Sequence, residues 1–140
     1  MSSRRQCDYE AVFRAVLRAL EQRGLTLAAE GFLADFELAV WNAVDAVFGV
    51  PVHGCAFHWA QAIQKNYQKH GLDAAVKGNK EMWADTQALK HIQFLYSIHI
   101  LDFFNRMKAR HSNLDPSHPL AKVLRYVERQ WILGKFSVDA

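Results

Sequence analysis

The sequence predicts an α/β fold that is predominantly helical and contains about two parallel strands. Apolar residues recur with the 3.6-residue period of amphipathic helices through most of the 140 residues. Two short extended runs interrupt this pattern in the first half. The resulting order of helix, strand, helix, strand and helix is typical of a βαβ unit, whose strands are parallel. The length and a hydrophobic content of 51% indicate one packed domain spanning residues 1–140.

Three helices are predicted in the first half of the chain. The first carries a continuous apolar face and ends at Gly24, a residue type suited to helix C-termini. The residues of this face are Tyr9, Val12, Phe13, Val16, Leu17 and Leu20. The second runs over residues 36–48 with Glu37 in its first turn, where a carboxylate suits the helix dipole. The third covers about residues 55–70.

Two strands are predicted between these helices. Residues 25–34 form an extended segment that places a strand close to Asp35. The run Val50–His53 is rich in β-branched residues and is bounded by Gly54. Because proline cannot donate to a sheet ladder, Pro51 places this run at a strand start or at a sheet edge.

The second half is predicted to be helical throughout after Gly71. A long helix over residues 82–107 has apolar side chains on more than one side, so we expect it to be enclosed on more than one face. Residues 113–119 form a turn cluster, and residues 120–131 predict a last amphipathic helix. Four aromatic residues in this half favour a surface that binds a partner. They are Trp83, Phe94, Phe103 and Phe104.

Asp35 is the first candidate for a functional residue. A carboxylate at the end of a strand in an open α/β sheet points into the crevice where ligands bind. Divalent metal ions that drive phosphodiester chemistry need such hard oxygen ligands. The alternative interpretation is that Asp35 caps the helix that begins at Phe36, and spacing alone favours the cap.

Cys55 and His58 stand three residues apart at the start of a predicted helix, which turns both side chains toward one side. A thiolate and an imidazole form half of a zinc site, but four ligands are usual, and only Cys7 with His53 could be imagined as completing the set. A buried cysteine and a hydrogen-bonded histidine are favoured over metal, so zinc is not expected. Glycine-rich phosphate loops are missing, which argues against a nucleotide cofactor, and a serine nucleophile elbow is missing, which argues against serine hydrolase chemistry.

The charge balance is weakly basic, with 17 Lys and Arg against 14 Asp and Glu and a net charge of +3. This balance permits a phosphate-rich partner without requiring one. Two sparse basic regions contain the DNA-binding candidates, Lys65 and Lys69 in the first and Arg125 and Arg129, with Lys122, in the second. Either region could contact phosphates, and a solvated helix face has the same pattern.

Neither export nor a membrane span is predicted. Residues 1–5 lead into no apolar export segment, and no stretch approaches the roughly 20 apolar residues that cross a bilayer. Cys7 and Cys55 do not make a disulfide framework, which fits a reducing compartment. We therefore expect an intracellular protein that is not secreted and that binds no membrane.

Several motifs together resemble the signature of the Mutator-like element (MULE) transposases. In outline this family reads DFE, a helix, G-C-x-F-H-F, Q-A-I, G-L and, further along, Y-x-E-x-x-W-I-x-G-x-F. The matching segments are Asp35-Phe36-Glu37, Gly54-Cys55-Ala56-Phe57-His58-Trp59, Gln61-Ala62-Ile63, Gly71-Leu72 and Tyr126-Val127-Glu128-Arg129-Gln130-Trp131-Ile132 with Gly134 and Phe136. The resemblance covers about residues 9–136.

The resemblance implies an RNase H-like transposase core over about residues 8–72 and a helical insertion over about residues 73–133. In this family three acidic residues hold two divalent metal ions, Mg²⁺ or Mn²⁺, that act in the cleavage and transfer of DNA strands. By its match to DFE, Asp35 corresponds to the second catalytic acid. Glu37, Cys55 and His58 match motif positions that support the active-site region. DNA as the partner and a nuclear location are likewise implied by the family.

Two departures from the family pattern predict a loss of activity. The first acid lies on a strand upstream of the helix that here begins close to Met1, and the third lies after the segment that ends at Phe136. We therefore expect a fragment truncated at both ends that is inactive alone, because one carboxylate cannot neutralise two divalent ions. Self-association would cover the apolar surface that truncation exposes. The alternative function is a non-catalytic helical module, derived from a transposase, that binds a protein or DNA.

Overall fold

The structure is a computed structural model that describes residues 5–134. Within these residues the fold is predominantly helical with a two-stranded parallel sheet, which confirms the predicted α/β class at this level. The chain divides into two compact units, residues 1–55 and residues 56–140. Among the helices of the described residues, none has the length and apolarity that crossing a membrane requires.

The elements follow the predicted order in the first half of the chain. The first unit contains α1 (Gln6–Glu21), β1 (Phe32–Ala34), α2 (Leu38–Phe48) and β2 (Val52–Gly54). The second unit contains α3 (Ala56–His70), α4 (Leu72–Ala75), α5 (Lys80–His91), α6 (Ser97–Arg110) and α7 (Pro119–Val127). A 3₁₀ turn (Ile92–Phe94) lies between α5 and α6, and a π-helical turn (Glu128–Ile132) follows α7.

The sheet of the first unit belongs to a βαβ unit in which α2 connects the two parallel strands. The register places Phe32 opposite Val52. The N–H of Phe32 donates to the carbonyl oxygen of Pro51 at 3.0 Å, so pairing starts with this proline carbonyl. β2 begins after Pro51, and not at the predicted Val50, because proline has no N–H to give to the ladder.

Aromatic rings from three elements form the centre of the first unit. The ring centroid of Phe48 on α2 lies 5.3 Å from that of Phe13 on α1 and 4.7 Å from that of Phe32 on β1. These three side chains are only half-buried. Among the described residues of this unit, Ala43 and Val44 on α2 are the ones with fully buried side chains. The first unit therefore has a thin core.

The second unit has the larger core, which is organised around α3 and α7. Trp59, near the start of α3, packs edge-to-face on Trp131 beyond the end of α7, with ring centroids 4.9 Å apart. His70, at the end of α3, interacts with Lys122 near the start of α7. The two helices therefore run antiparallel. The largest apolar and aromatic side chains that are fully buried here are Ile63, Tyr67, Leu72, Val76, Leu89, Phe104, Met107, Leu120, Val123 and Val127.

The long helix predicted over residues 82–107 is wrong, because two helices occupy this stretch. The backbone is extended at Leu95, with ψ 153°, and at Tyr96, with ψ 141°, between the 3₁₀ turn and α6. Enclosure on more than one face is also wrong, because the side chains of Phe94, Tyr96 and Ile98 are 70%, 82% and 80% exposed. α5 and α6 each bury one stripe, and Phe94, Tyr96 and Ile98 belong to neither stripe.

The last predicted helix is present, but its final part has a different geometry. α7 ends at Val127, and the π-helical turn carries the chain on to Ile132. This turn contains Trp131, whose ring is buried against Trp59. Phe136, the last residue of the motif noted above, lies outside the described residues.

Candidate functional site

Asp35 directly follows β1, so its carboxylate stands at the carboxyl end of a strand in the parallel pair, as predicted. Its side chain is exposed. The predicted helix start at Phe36 is wrong, because α2 begins at Leu38 and Glu37 is the N-cap residue with extended backbone angles. Asp35 is therefore not the cap of this helix, and the cap interpretation is wrong.

Glu37 is held from the neighbouring helix. The hydroxyl of Tyr9 on α1 donates to Oε2 of Glu37 at 3.0 Å. Glu37 lies at the N-cap and not in the first turn, because the helix starts one residue after it. Its charge still lies at the positive end of the helix dipole. The apolar periodicity that identified α1 assigned Tyr9 to the packing face only, and it gave no sign of this contact.

The segment between β1 and α2 is fixed by two aromatic rings. The indole Nε1–H of Trp41 donates to the backbone carbonyl of Asp35 at 2.8 Å. The rings of Trp41 and Phe36 are stacked with centroids 6.2 Å apart. Phe36 lies directly over Gly54 of β2, where a β-carbon would come within 2.4 Å of its ring. The backbone at Asp35 is thereby anchored both to α2 and to the neighbouring strand.

Cys55 and His58 do not share a helix, since α3 begins at Ala56. Cys55 is a half-buried free thiol that directly follows β2, and its N–H donates to the carbonyl of Ala34 at 2.8 Å. His58 is exposed in the first turn of α3, with its ring centroid 5.7 Å from that of Phe57. The predicted helix start at about Cys55 is thus displaced by one residue, and Cys55 directly precedes the helix whose first turn holds His58.

The two divalent metal ions that the motif resemblance implies would need a cluster of acidic side chains. Across residues 5–134 no group of three or more His, Cys, Asp or Glu side chains is arranged to hold a metal ion. Two divalent ions require several carboxylate ligands, and Asp35 supplies one. The described residues therefore do not fit a two-metal centre.

The two basic regions lie on two helices that pack together. Lys65 and Lys69 are exposed on α3, Arg125 is exposed on α7, and Arg129 is exposed in the π-helical turn that extends α7. The sequence separates these regions by more than fifty residues. The antiparallel packing of α3 and α7 brings them onto one helix pair.

A buried carboxylate in the second unit was missed by sequence reasoning. Asp85 on α5 accepts from Arg110 at 2.5 Å and 3.3 Å, and from Nε2 of His111 at 2.7 Å. Its side chain is 10% exposed. A cavity of about 260 Å³ lies beside these partners and is also lined by Asn79 and Met82. Because both carboxylate oxygens have partners, this cluster has a structural role and links α5 to the end of α6.

The sequence contained a signal for this cluster. Asp85 stands four residues before Leu89, and both side chains lie on the buried stripe of α5. A charged residue within an apolar stripe indicates a buried ion pair, because an unpaired buried charge is very costly. The identity of the partners had no such signal, because they lie 25 and 26 residues further along the chain.

Comparison of this chain with protein-family models, with curated proteins and with solved structures found no match. The transposase interpretation therefore remains a prediction that rests on the motif residues and on their positions in the structure.

Proposed function

We propose that this chain is part of a MULE-type transposase domain, with a partial RNase H-like core, that acts on DNA and contributes Asp35 as one carboxylate of the metal site. The observation that carries the proposal is the position of Asp35 at the carboxyl end of β1, where open α/β sheets bind their ligands. The hydrogen bond from Trp41 to its backbone fixes this position. A carboxylate that orients a metal ion needs such a rigid support.

The contacts of other motif residues support the proposal. Phe36 of the DFE motif packs on Gly54 of the second motif, and the space between them leaves no room for a β-carbon. In the last motif, a β-carbon on Gly134 would come within 2.1 Å of the carbonyl oxygen of Gln130. Both glycines are thus required by close approach. Within each unit these motif residues are in close contact with each other, as expected of a signature that specifies a structure.

The chain alone is expected to leave DNA uncut. Metal-dependent strand cleavage uses several carboxylates around the ions, and residues 5–134 bring no second and third ligand into a cluster with Asp35. The missing acids must come from outside these residues for the site to be complete. A nuclear location follows from this proposed role.

The test measures metal binding and DNA cleavage on the same protein. Mn²⁺ broadens NMR signals of nearby amides, so we expect it to broaden the signals of residues 34–37 in the wild-type protein. We expect Asp35→Asn to remove this broadening. Asp45→Asn, which changes another exposed aspartate of the first unit, is the matched control and should keep it. No variant should cut labelled duplex DNA with Mg²⁺ or Mn²⁺.

The outcomes separate the two parts of the proposal. If Mn²⁺ leaves residues 34–37 unaffected at millimolar concentration, Asp35 is not a metal carboxylate and the proposed role is wrong. If the wild-type protein cuts DNA and Asp35→Asn does not, the role of Asp35 holds and the expected inactivity is wrong.

A non-catalytic interaction module is the second candidate function, and one observation favours it. Of the aromatic residues singled out above, Trp83 is 56% and Phe94 is 70% exposed, whereas Phe104 is buried. Phe94 belongs to an exposed apolar run around the break between α5 and α6, together with Tyr96 and Ile98. Residues 92–101 contain no Asp, Glu, Lys or Arg. Burial of such a run against a second copy would remove apolar area from water.

Sedimentation velocity over a range of protein concentrations tests this second candidate. We expect the wild-type protein to self-associate and the double variant Tyr96→Ser with Ile98→Ser to remain monomeric. Leu133→Ser, which changes an exposed leucine outside the run, should associate like the wild type. A wild-type protein that stays monomeric at the highest concentration would rule out self-association through this run.

A further inference from the structure

α3 and α7 form an antiparallel pair that is free of acidic residues. Neither Ala56–His70 nor Pro119–Val127 contains an aspartate or a glutamate. The cations on the pair and on the turn that follows are Lys65, Lys69, Lys122, Arg125 and Arg129, and all five side chains are exposed. A pair of packed helices with one sign of charge creates a local potential that attracts the opposite charge.

These cations lie on the outer side of the helix pair. On the α7 side, Lys122, Arg125 and Arg129 follow one another at spacings of three and four residues, so they share a face. The buried stripe of α7 consists of Leu120, Val123, Leu124 and Val127 and lies opposite. On α3, Lys65 and Lys69 are spaced four residues apart, and neither belongs to the buried stripe.

Cations from both helices act on the side chain of His70, at the end of α3. The pKa of His70 is lowered by burial and by the charges of Lys69 on its own helix and Lys122 on α7. The packing of α3 against α7 places the end of α3, with Lys69, beside the start of α7, with Lys122, and positive charges on both helices disfavour a third on this imidazole. At this end of the pair, the basic regions of α3 and α7 therefore form one surface.

Among the acids nearest in sequence, Asp73 on α4 is exposed and its charge acts on Tyr67 of α3, whereas two others have partners of their own. Glu128 forms an ion pair with Lys108 on α6. Asp115 accepts from the backbone N–H of Ser117 at 2.7 Å. The charge imbalance extends to the whole unit, since residues 56–140 contain 12 Lys and Arg and 7 Asp and Glu. Residues 1–55 contain 5 Lys and Arg and 7 Asp and Glu, so the basic character of the chain belongs to the second unit.

We infer that the outer face of α3 and α7 is a binding surface for the backbone phosphates of DNA. We call this surface, made of Lys65, Lys69, Lys122, Arg125 and Arg129, the α3–α7 basic face. The choice of DNA among polyanions rests on the proposed function. Over the length of α3, about 22 Å at 1.5 Å per residue, duplex DNA presents roughly a dozen phosphates. Contacts to phosphates hold DNA without reading its sequence, so we expect binding that is independent of sequence.

Fluorescence anisotropy with a labelled duplex, measured over a series of salt concentrations, tests the surface. The double variant Lys69→Gln with Lys122→Gln should weaken binding roughly tenfold and lower the slope of log affinity against log salt by about 2, since each lost phosphate contact removes about 0.9. The matched control, Arg14→Gln with Arg18→Gln on α1, removes the same charge from exposed positions of the first unit. It should change the affinity less than twofold.

The pKa of the His70 imidazole is a second measurement, and it reports only on the part of the α3–α7 basic face around Lys69 and Lys122. Phosphates at the α3–α7 basic face favour the protonated imidazole, so DNA should raise the pKa of His70 in an NMR titration. Replacement of Lys69 and Lys122 should also raise it, without DNA. These shifts do not depend on whether a variant alters the overall affinity.

Three outcomes would overturn the inference. The first is equal weakening by the α3–α7 variant and the α1 control, and the second is DNA binding that leaves the pKa of His70 unchanged. The third is binding to phosphatidylserine vesicles without binding to DNA, which would assign the face to a lipid surface. Failure of the Mn²⁺ test at Asp35 leaves these measurements intact, so the two proposals can fail separately.

Discussion

The contact between Phe36 and Gly54 joins two motifs that stand far apart in the sequence. A β-carbon at position 54 would meet the Phe36 ring at 2.4 Å, and this ring is already stacked on Trp41. A shift of this ring would change its stacking on Trp41, whose indole holds the backbone carbonyl of Asp35. At the scale of single residues, the placement of the candidate carboxylate therefore depends on the absence of a side chain on the neighbouring strand.

Gly54→Ala should lower the free energy of unfolding by about 1–3 kcal/mol, because overpacking displaces the Phe36 ring. Urea unfolding followed by tryptophan fluorescence measures the loss. In a Phe36→Ala background the same alanine has room, so Gly54→Ala should there cost less than about 0.5 kcal/mol. An equal cost in both backgrounds would show that the penalty arises from the strand backbone and not from the ring.

At the scale of elements, Asp85 ties α5 to the end of α6. Asp85→Asn removes charged hydrogen bonds to Arg110 and His111, and we expect a loss of about 2–3 kcal/mol in the free energy of unfolding. Asp102→Asn is the matched control, because Asp102 pairs with Arg106 while 61% of its side chain is exposed. Exposed ion pairs contribute little, so the control should lose less than about 0.5 kcal/mol. Similar losses in urea unfolding would contradict a structural role for the buried pair.

Local periodicity predicted those elements whose signals are local. The helix, strand, helix, strand and helix order and the parallel pairing followed from periodicity, and the position of Asp35 at a strand end followed with them. The break at Leu95 and Tyr96 was missed because neither glycine nor proline marks it. The apolar run across the break was interpreted as buried because composition reports hydrophobicity and not exposure.

The sequence could predict only those features of the candidate site that depend on a single residue. Asp35 could be found from its place in the chain, whereas the rings that hold it could not, because Trp41 and Phe36 also fit an apolar helix face. The basic regions were found as two separate sets. The two sets lie on one surface only because α3 and α7 pack antiparallel, and helical periodicity does not predict this tertiary contact.

At the scale of the whole molecule, the two units differ in how much they bury. Among described residues, the first unit has two fully buried apolar side chains, Ala43 and Val44, and both are small. The second unit buries large side chains such as Tyr67, Phe104 and Met107. The hydroxyl of Tyr67 also donates to the carbonyl of Thr86 at 2.5 Å, inside the core. Since stability follows the apolar area removed from water, most of it resides in the second unit.

We expect the first unit to open without the second, because local openings follow the regions of low burial. Native-state hydrogen exchange measures this directly. The amides of α2 should exchange with an opening free energy at least about 2 kcal/mol below that of the amides of α7. Val123→Ala, which removes fully buried methyl groups from α7, should lower the α7 value by about 1–3 kcal/mol and leave the α2 value unchanged. Equal opening free energies for both helices, lowered together by Val123→Ala, would show instead that the candidate carboxylate and the α3–α7 basic face belong to one cooperative unit.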